Sequence, residues 1–141
     1  MGSFPMPGHG FDDFLESDDT LRVYDGGVLI FSSAEDRLLP WLEYIKHLAP
    51  SHQQVVALDK IMGNAAALLS VKAGCREVAS PLGSQVAVAT LESYGIRHYL
   101  AEVVPYIQRP DGRGLCPMEA LSLGKGPEDF YRAMVKALAP E

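Results

Sequence analysis

Apolar and polar positions alternate in short blocks whose period changes along the chain. Leu21-Arg22-Val23-Tyr24 and Val28-Leu29-Ile30-Phe31 are β-prone runs separated by Asp25-Gly26-Gly27, so they predict an antiparallel hairpin whose glycines supply the positive φ of the turn. Leu38, Leu42, Ile45 and Ala49 then fall at helical spacing, with Ser33 read as the N-cap, Glu35 and Asp36 in the first turn, and Pro40 tolerated near the start. Gln54 to Leu58 reads as a buried strand. From Asp59 the pattern becomes apolar almost all round, through Ile61, Met62, Ala65 to Leu69 and Val71, and predicts a helix covered on several sides that stops at Gly74.

Glu77 to Ala79 predicts the next strand. Ser80-Pro81 reads as an N-cap followed by proline at the first helical position, opening a helix that carries Leu82, Val86, Ala87, Leu91 and Tyr94 and ends at Gly95. Ile96 to Val104 alternates as a strand, 105–114 is an irregular connection, and two short helices close the chain, one after Cys116-Pro117 and one from Pro127 to about Leu138. Strand and helix alternating after an initial hairpin predict an α/β fold. Its form is a three-layer αβα sandwich around a mixed, mostly parallel five-stranded sheet, with helices on both faces. Ligands of such sheets collect beyond the carboxyl ends of the parallel strands, here Leu58-Asp59-Lys60 and Ala79-Ser80-Pro81.

Composition narrows the function classes. The 141 residues are 48% hydrophobic and 21% charged, which suits one soluble domain over residues 11–141 behind a Pro- and Gly-rich tail over residues 1–10. A formal charge of −6 argues against general nucleic-acid binding while leaving a small anionic ligand open, because local backbone donors can outweigh net charge. No apolar run approaches a membrane span, and the start lacks a signal-peptide pattern, so no membrane association is expected. Only two cysteines, Cys75 and Cys116, are present, without a CxxC pair, as in a reducing cytoplasm. His9, His47, His52 and His98 show no metal-ligand spacing.

Each polar residue at the strand ends has a structural reading beside a chemical one. Asp59 is an N-cap or a carboxylate facing a ligand; Lys60 is solvated, paired to Asp59, or an anion contact or base. Gly63 inside a helix signals close approach of a ligand or of packed backbone. Ser80 caps a helix or shares its free N–H groups with a phosphate or carboxylate. Asp111-Gly112-Arg113-Gly114 is a turn, or it places Asp111 and Arg113 over the strand ends as an anion clamp. Cys116 before Pro117 sits where a helix N-terminus lowers a thiol pKa, with Glu119 one turn away opposing it; Cys75 reads as a core residue.

The strings ALDKIMGNAAALL, REVASP and DGRGLCPMEAL, with the DGG hairpin and the terminal PEDFYRA, resemble the family called domain of unknown function 1893 over nearly all residues after about 20. That resemblance implies a cytidine deaminase-like fold. It also implies a missing metal: zinc deaminases place a His or Cys plus a catalytic Glu at the first strand-to-helix junction and PCxxC at the second. This chain has Asp59-Lys60-Ile61-Met62-Gly63 at the first and Ser80-Pro81-Leu82-Gly83-Ser84-Gln85 at the second, so neither a zinc site nor another cofactor is expected.

Three functions follow. One is a zinc-free domain binding a nucleotide or related anionic metabolite; the second is an enzyme with Cys116 as nucleophile and Asp59, Lys60 or Glu119 in acid/base roles. The third is a structural or regulatory domain, most simply a homodimer, whose pocket is closed.

Overall fold

The computed structural model describes residues 8–36 and 38–138. The hairpin forms as its turn chemistry requires: β1 (Leu21–Asp25) and β2 (Val28–Ser33) pair antiparallel, with Gly26 and Gly27 at φ of 60° and 86°. β1 also pairs antiparallel with β3 (Val55–Asp59), which runs parallel to β4 (Cys75–Ser84), itself parallel to β5 (Arg97–Val104). The sheet is five-stranded and mixed, in the order β2-β1-β3-β4-β5.

Every residue of β3 is buried because both of its faces are covered. On one face α1 (Gly8–Glu16) lays Phe14 against Leu58 and Ala79. On the other, Val23, Val55, Ala57 and Val78 meet the remaining helices. These are α2 (Leu39–His47), α3 (Asn64–Lys72), α4 (Gln85–Ser93), α5 (Pro117–Ser122) and α6 (Pro127–Leu138). α3 sits at their centre, packed by α2, α4, α5, α6 and β4, which is why its face-less apolar run Ala65 to Leu69 is buried throughout.

Several boundaries differ from the sequence-based expectation. Gly8–Gly10 belong to α1, while residues 1–7 lie outside the described part; two glycines mask a helix that is fixed by the burial of Phe14. Ser33 ends β2, and its Oγ accepts the Glu35 N–H (3.1 Å) in a turn; α2 starts only at Leu39, because Pro40 cannot sit in a helix interior. Asp59 is the last residue of β3 and caps no helix. The chain bends at Lys60 and runs on without helix to Met62, which bridges Gly83, so that Gly63 is the N-cap of α3.

Ser80 does not cap a helix either: β4 runs on through Pro81, with Ser80 Oγ donating to Leu82 O (2.9 Å) and accepting from Leu82 N (3.3 Å). Pro81 is tolerated in mid-strand because it has no partner in the β5 register, where Ser80 pairs Leu100 and Leu82 pairs Glu102. The cap of α4 is Ser84, whose Oγ accepts the Ala87 N–H at 3.0 Å. Ser84→Ala is therefore expected to cost about 1 kcal/mol, read as a lower urea midpoint at unchanged slope.

Candidate functional site

Beyond the end of β3 the structure encloses a cavity of about 330 Å³. Its walls are the end of β3 and the 60–63 connection, the first turn of α3, and the returning chain at 107–110 and 116–119. That return is a narrow loop: Gln108 and Leu115 form an isolated antiparallel bridge, and Cys116 N donates to Ile107 O at 3.0 Å.

Glu119 ties these walls together. It is 2% exposed, with Oε1 accepting the Asn64 N–H (2.7 Å) and Oε2 the Ile107 N–H (3.0 Å). One carboxylate from α5 thus caps α3, which has no side-chain cap of its own, and anchors the loop. Gly63 is required beside it, since a Cβ there would lie 2.8 Å from Glu119 Oε1 and 3.0 Å from Ile107 Cγ1. The buried Asn64 side chain continues the network, donating to Ser122 Oγ (3.0 Å) and accepting from Thr90 Oγ1.

Asp59 is a second buried ionisable group of the cavity wall. Its Oδ2 accepts Trp41 Nε1–H at 2.6 Å and its Oδ1 the Ile61 N–H at 3.3 Å. Burial pushes its pKa up to about 7, against the lowering effect of the Trp41, Ile61 and Lys60 donors. Lys60 borders the cavity, but its ammonium donates to Ser17 O and Asp19 O, each at 2.8 Å, and lies 4.7 Å from the Phe14 ring centre; it fastens the end of α1. Cys116 lines the cavity half-buried as the N-cap of α5. Arg109, which is exposed, stands at the cavity margin with Nε donating to Leu115 O at 3.4 Å.

A family model described as a domain of unknown function (DUF1893) matches residues 12–136. The chain belongs to the DUF1893 family. A solved structure of a DUF1893 family protein from Thermotoga maritima is similar to it, with a TM-score of 0.82 and 26% sequence identity over 92% of this chain and 88% of that one. A search of the curated proteins finds no match.

Of the residues singled out from sequence, this DUF1893 chain brings Asp59, Lys60, Gly63, Cys116 and Glu119 to one cavity. Ser80, Asp111 and Arg113 are not in its wall. Ser80 is buried in β4, and Asp111 Oδ1 accepts the Arg113 N–H (2.9 Å) in an exposed turn, so the cation at the margin is Arg109 instead of Arg113. Trp41, Asn64 and Ile107 went unread because each acts through a long-range hydrogen bond; only the lone polar Asn64 opening an alanine run carried a local signal. Among the described residues no group of three or more His, Cys, Asp or Glu is placed to hold a metal ion, and no helix is long and apolar enough to cross a membrane.

Proposed function

We propose that this cavity binds a small organic anion with a flat, largely apolar body, such as a nucleotide, on a scaffold similar to the deaminases but with other residues at the zinc positions. The observation that carries this reading is the pairing of the buried Asp59 carboxyl with the exposed Arg109 across walls built from Leu38, Ile61, Ile107 and Met118. A carboxyl titrating near neutrality offers an O–H donor or an acceptor to the polar edge of a ring, and the guanidinium offers two-point contact to phosphate or carboxylate. Arg109 supplies local positive charge that the net charge of −6 conceals.

The enzyme reading retains Cys116 and Asp59. Lys60 and Glu119 are held by backbone partners just after α1, on α3 and in the loop, so neither is available to move a proton.

Thermal unfolding in the presence of nucleosides and of nucleoside mono-, di- and triphosphates tests the proposal. A ligand at 100 times its dissociation constant is expected to add about 2.7 kcal/mol, to lose that effect in Arg109→Ala and to keep it in Arg113→Ala. The same ligand is expected to slow alkylation of Cys116, while Cys75, buried and with its thiol pushed up by that burial, stays unreactive throughout. A panel without any stabilising member would remove the binding reading.

A further inference from the structure

The sheet has two edges, and they are built differently. β2 pairs with β1 through an irregularity at Val23/Tyr24 and contains no charged residue. β5 is longer, contains no proline or lysine, and among the described residues pairs on one side only, with β4. Tyr99 and Val103 are 48% and 42% exposed on it, and Tyr106 just beyond is 44% exposed. Natural sheets blunt such an edge with proline, lysine or a bulge, and none of these is present on β5.

We propose that two copies of this chain join antiparallel along β5, about a two-fold axis at Leu100, to form one continuous sheet. A two-fold axis perpendicular to a sheet keeps every side chain on its own face, so the numbers of two facing residues must sum to an even number. Three registers then centre on the middle of the strand. Centring on Tyr99 sets that ring against its copy and Arg97 against Ala101; centring on Ala101 sets Glu102 against Leu100 and His98 against Val104. Centring on Leu100 sets His98 against the partner's Glu102 twice, and Tyr99 against Ala101. The single acidic residue of the strand thus meets its histidine. His98 is already oriented for this, because Nδ1 lies 3.3 Å from Ile96 O, a bond that needs a proton on Nδ1 and leaves Nε2, which donates to the facing carboxylate once it too is protonated. Tyr99 is held in turn by an edge-on contact with Phe11 of α1, ring centres 5.8 Å apart.

Analytical ultracentrifugation of the full chain over a micromolar concentration series is expected to show a monomer–dimer equilibrium. His98→Glu and Glu102→Lys each place like or unmatched charge across the axis, and each is expected to raise the dissociation constant about tenfold or more. The double variant His98→Glu/Glu102→Lys restores the pairs with reversed polarity and is expected to recover the dimer. His98→Lys tightens it, a gain that misfolding cannot imitate. A wild-type monomer at all concentrations, open-ended oligomers, a dimer indifferent to the single changes, or a double variant that fails to recover would each overturn the proposal.

Discussion

Glu119→Ala is expected to lower stability by about 3 kcal/mol, the largest loss among the substitutions considered around the cavity. The carboxylate is 2% exposed and serves two backbone donors, Asn64 N at 2.7 Å and Ile107 N at 3.0 Å. Each donor left unmatched inside the protein costs about 1–3 kcal/mol, and water entering from the cavity recovers part of the Ile107 share. Glu119→Gln keeps one acceptor and turns an amide N–H toward the other donor, so about half that loss is expected. Gly63→Ala reaches the same carboxylate from the opposite side. Its Cβ would lie 2.8 Å from Oε1, which Asn64 N holds in place, so the overpacking cost is about 1–3 kcal/mol. Combined with Glu119→Ala the same Gly63→Ala change should cost less, because the nearer of its two close contacts is gone and only the Ile107 side chain at 3.0 Å has to give. Urea unfolding of the four proteins in that cycle measures the coupling; strict additivity would show that the carboxylate does not hold the wall.

The residues that could be read locally are those whose partners are local. Asp25-Gly26-Gly27 specified its hairpin, and Pro117 and Pro127 marked the starts of α5 and α6 where proline lacks nothing a first turn needs. Asp59 and Ser80 misled for one shared reason. A short polar residue after an apolar strand reads as a cap, yet neither opens a helix: β4 runs on through 81–84, and the chain after Asp59 bends at Lys60 and pairs with it at Met62, whose N–H donates to Leu82 O (2.8 Å) while Ser84 N donates to Met62 O (3.2 Å). Gly83 is the trace of this pairing in the sequence, since a Cβ there would fall 2.5 Å from Leu100 Cδ1 and 3.1 Å from Met62 O.

The candidate site was half legible on the same grounds. Cys116 and Glu119 share a short motif with the loop that places them, and Gly63 announced a close approach without saying that the approaching atom is Glu119 Oε1. Lys60 follows Asp59 at a bend just past the end of β3, where Asp59 Oδ1 accepts the Ile61 N–H. At that bend the carboxyl stays in the cavity wall while the ammonium reaches the segment after α1 that it fastens. Arg113 and Arg109 are exchanged by the turn between them, in which Gly112 N donates to Arg109 O at 2.9 Å and Arg113 N to Asp111 Oδ1.

The second large effect concerns pH and the one tryptophan. Burial raises the Asp59 carboxyl to about 7 in the folded chain, against 3.8 when it is unperturbed. Between those values the folded protein retains a proton that the unfolded chain has released. Stability then falls as pH rises through the window and levels off above about 7, the reverse of an ion-paired aspartate. At about 1.36 kcal/mol for each pH unit of the window, the loss from pH 4 to 8 is on the order of 4 kcal/mol. Histidines titrate over part of the same range, so the informative quantity is the difference between the wild-type profile and that of Asp59→Asn, in which this contribution is absent whatever the offset between the two proteins. Trp41, the single tryptophan, donates Nε1–H to Asp59 Oδ2 at 2.6 Å and reports the event optically. Its emission is expected to titrate with a midpoint near pH 7 in the wild type and to stay flat in Asp59→Asn. Identical emission curves for the two proteins between pH 5.5 and 8.5 would mean that Asp59 does not titrate in this range, and that the cavity wall offers its ligand a carboxyl of fixed charge instead of one poised near neutrality.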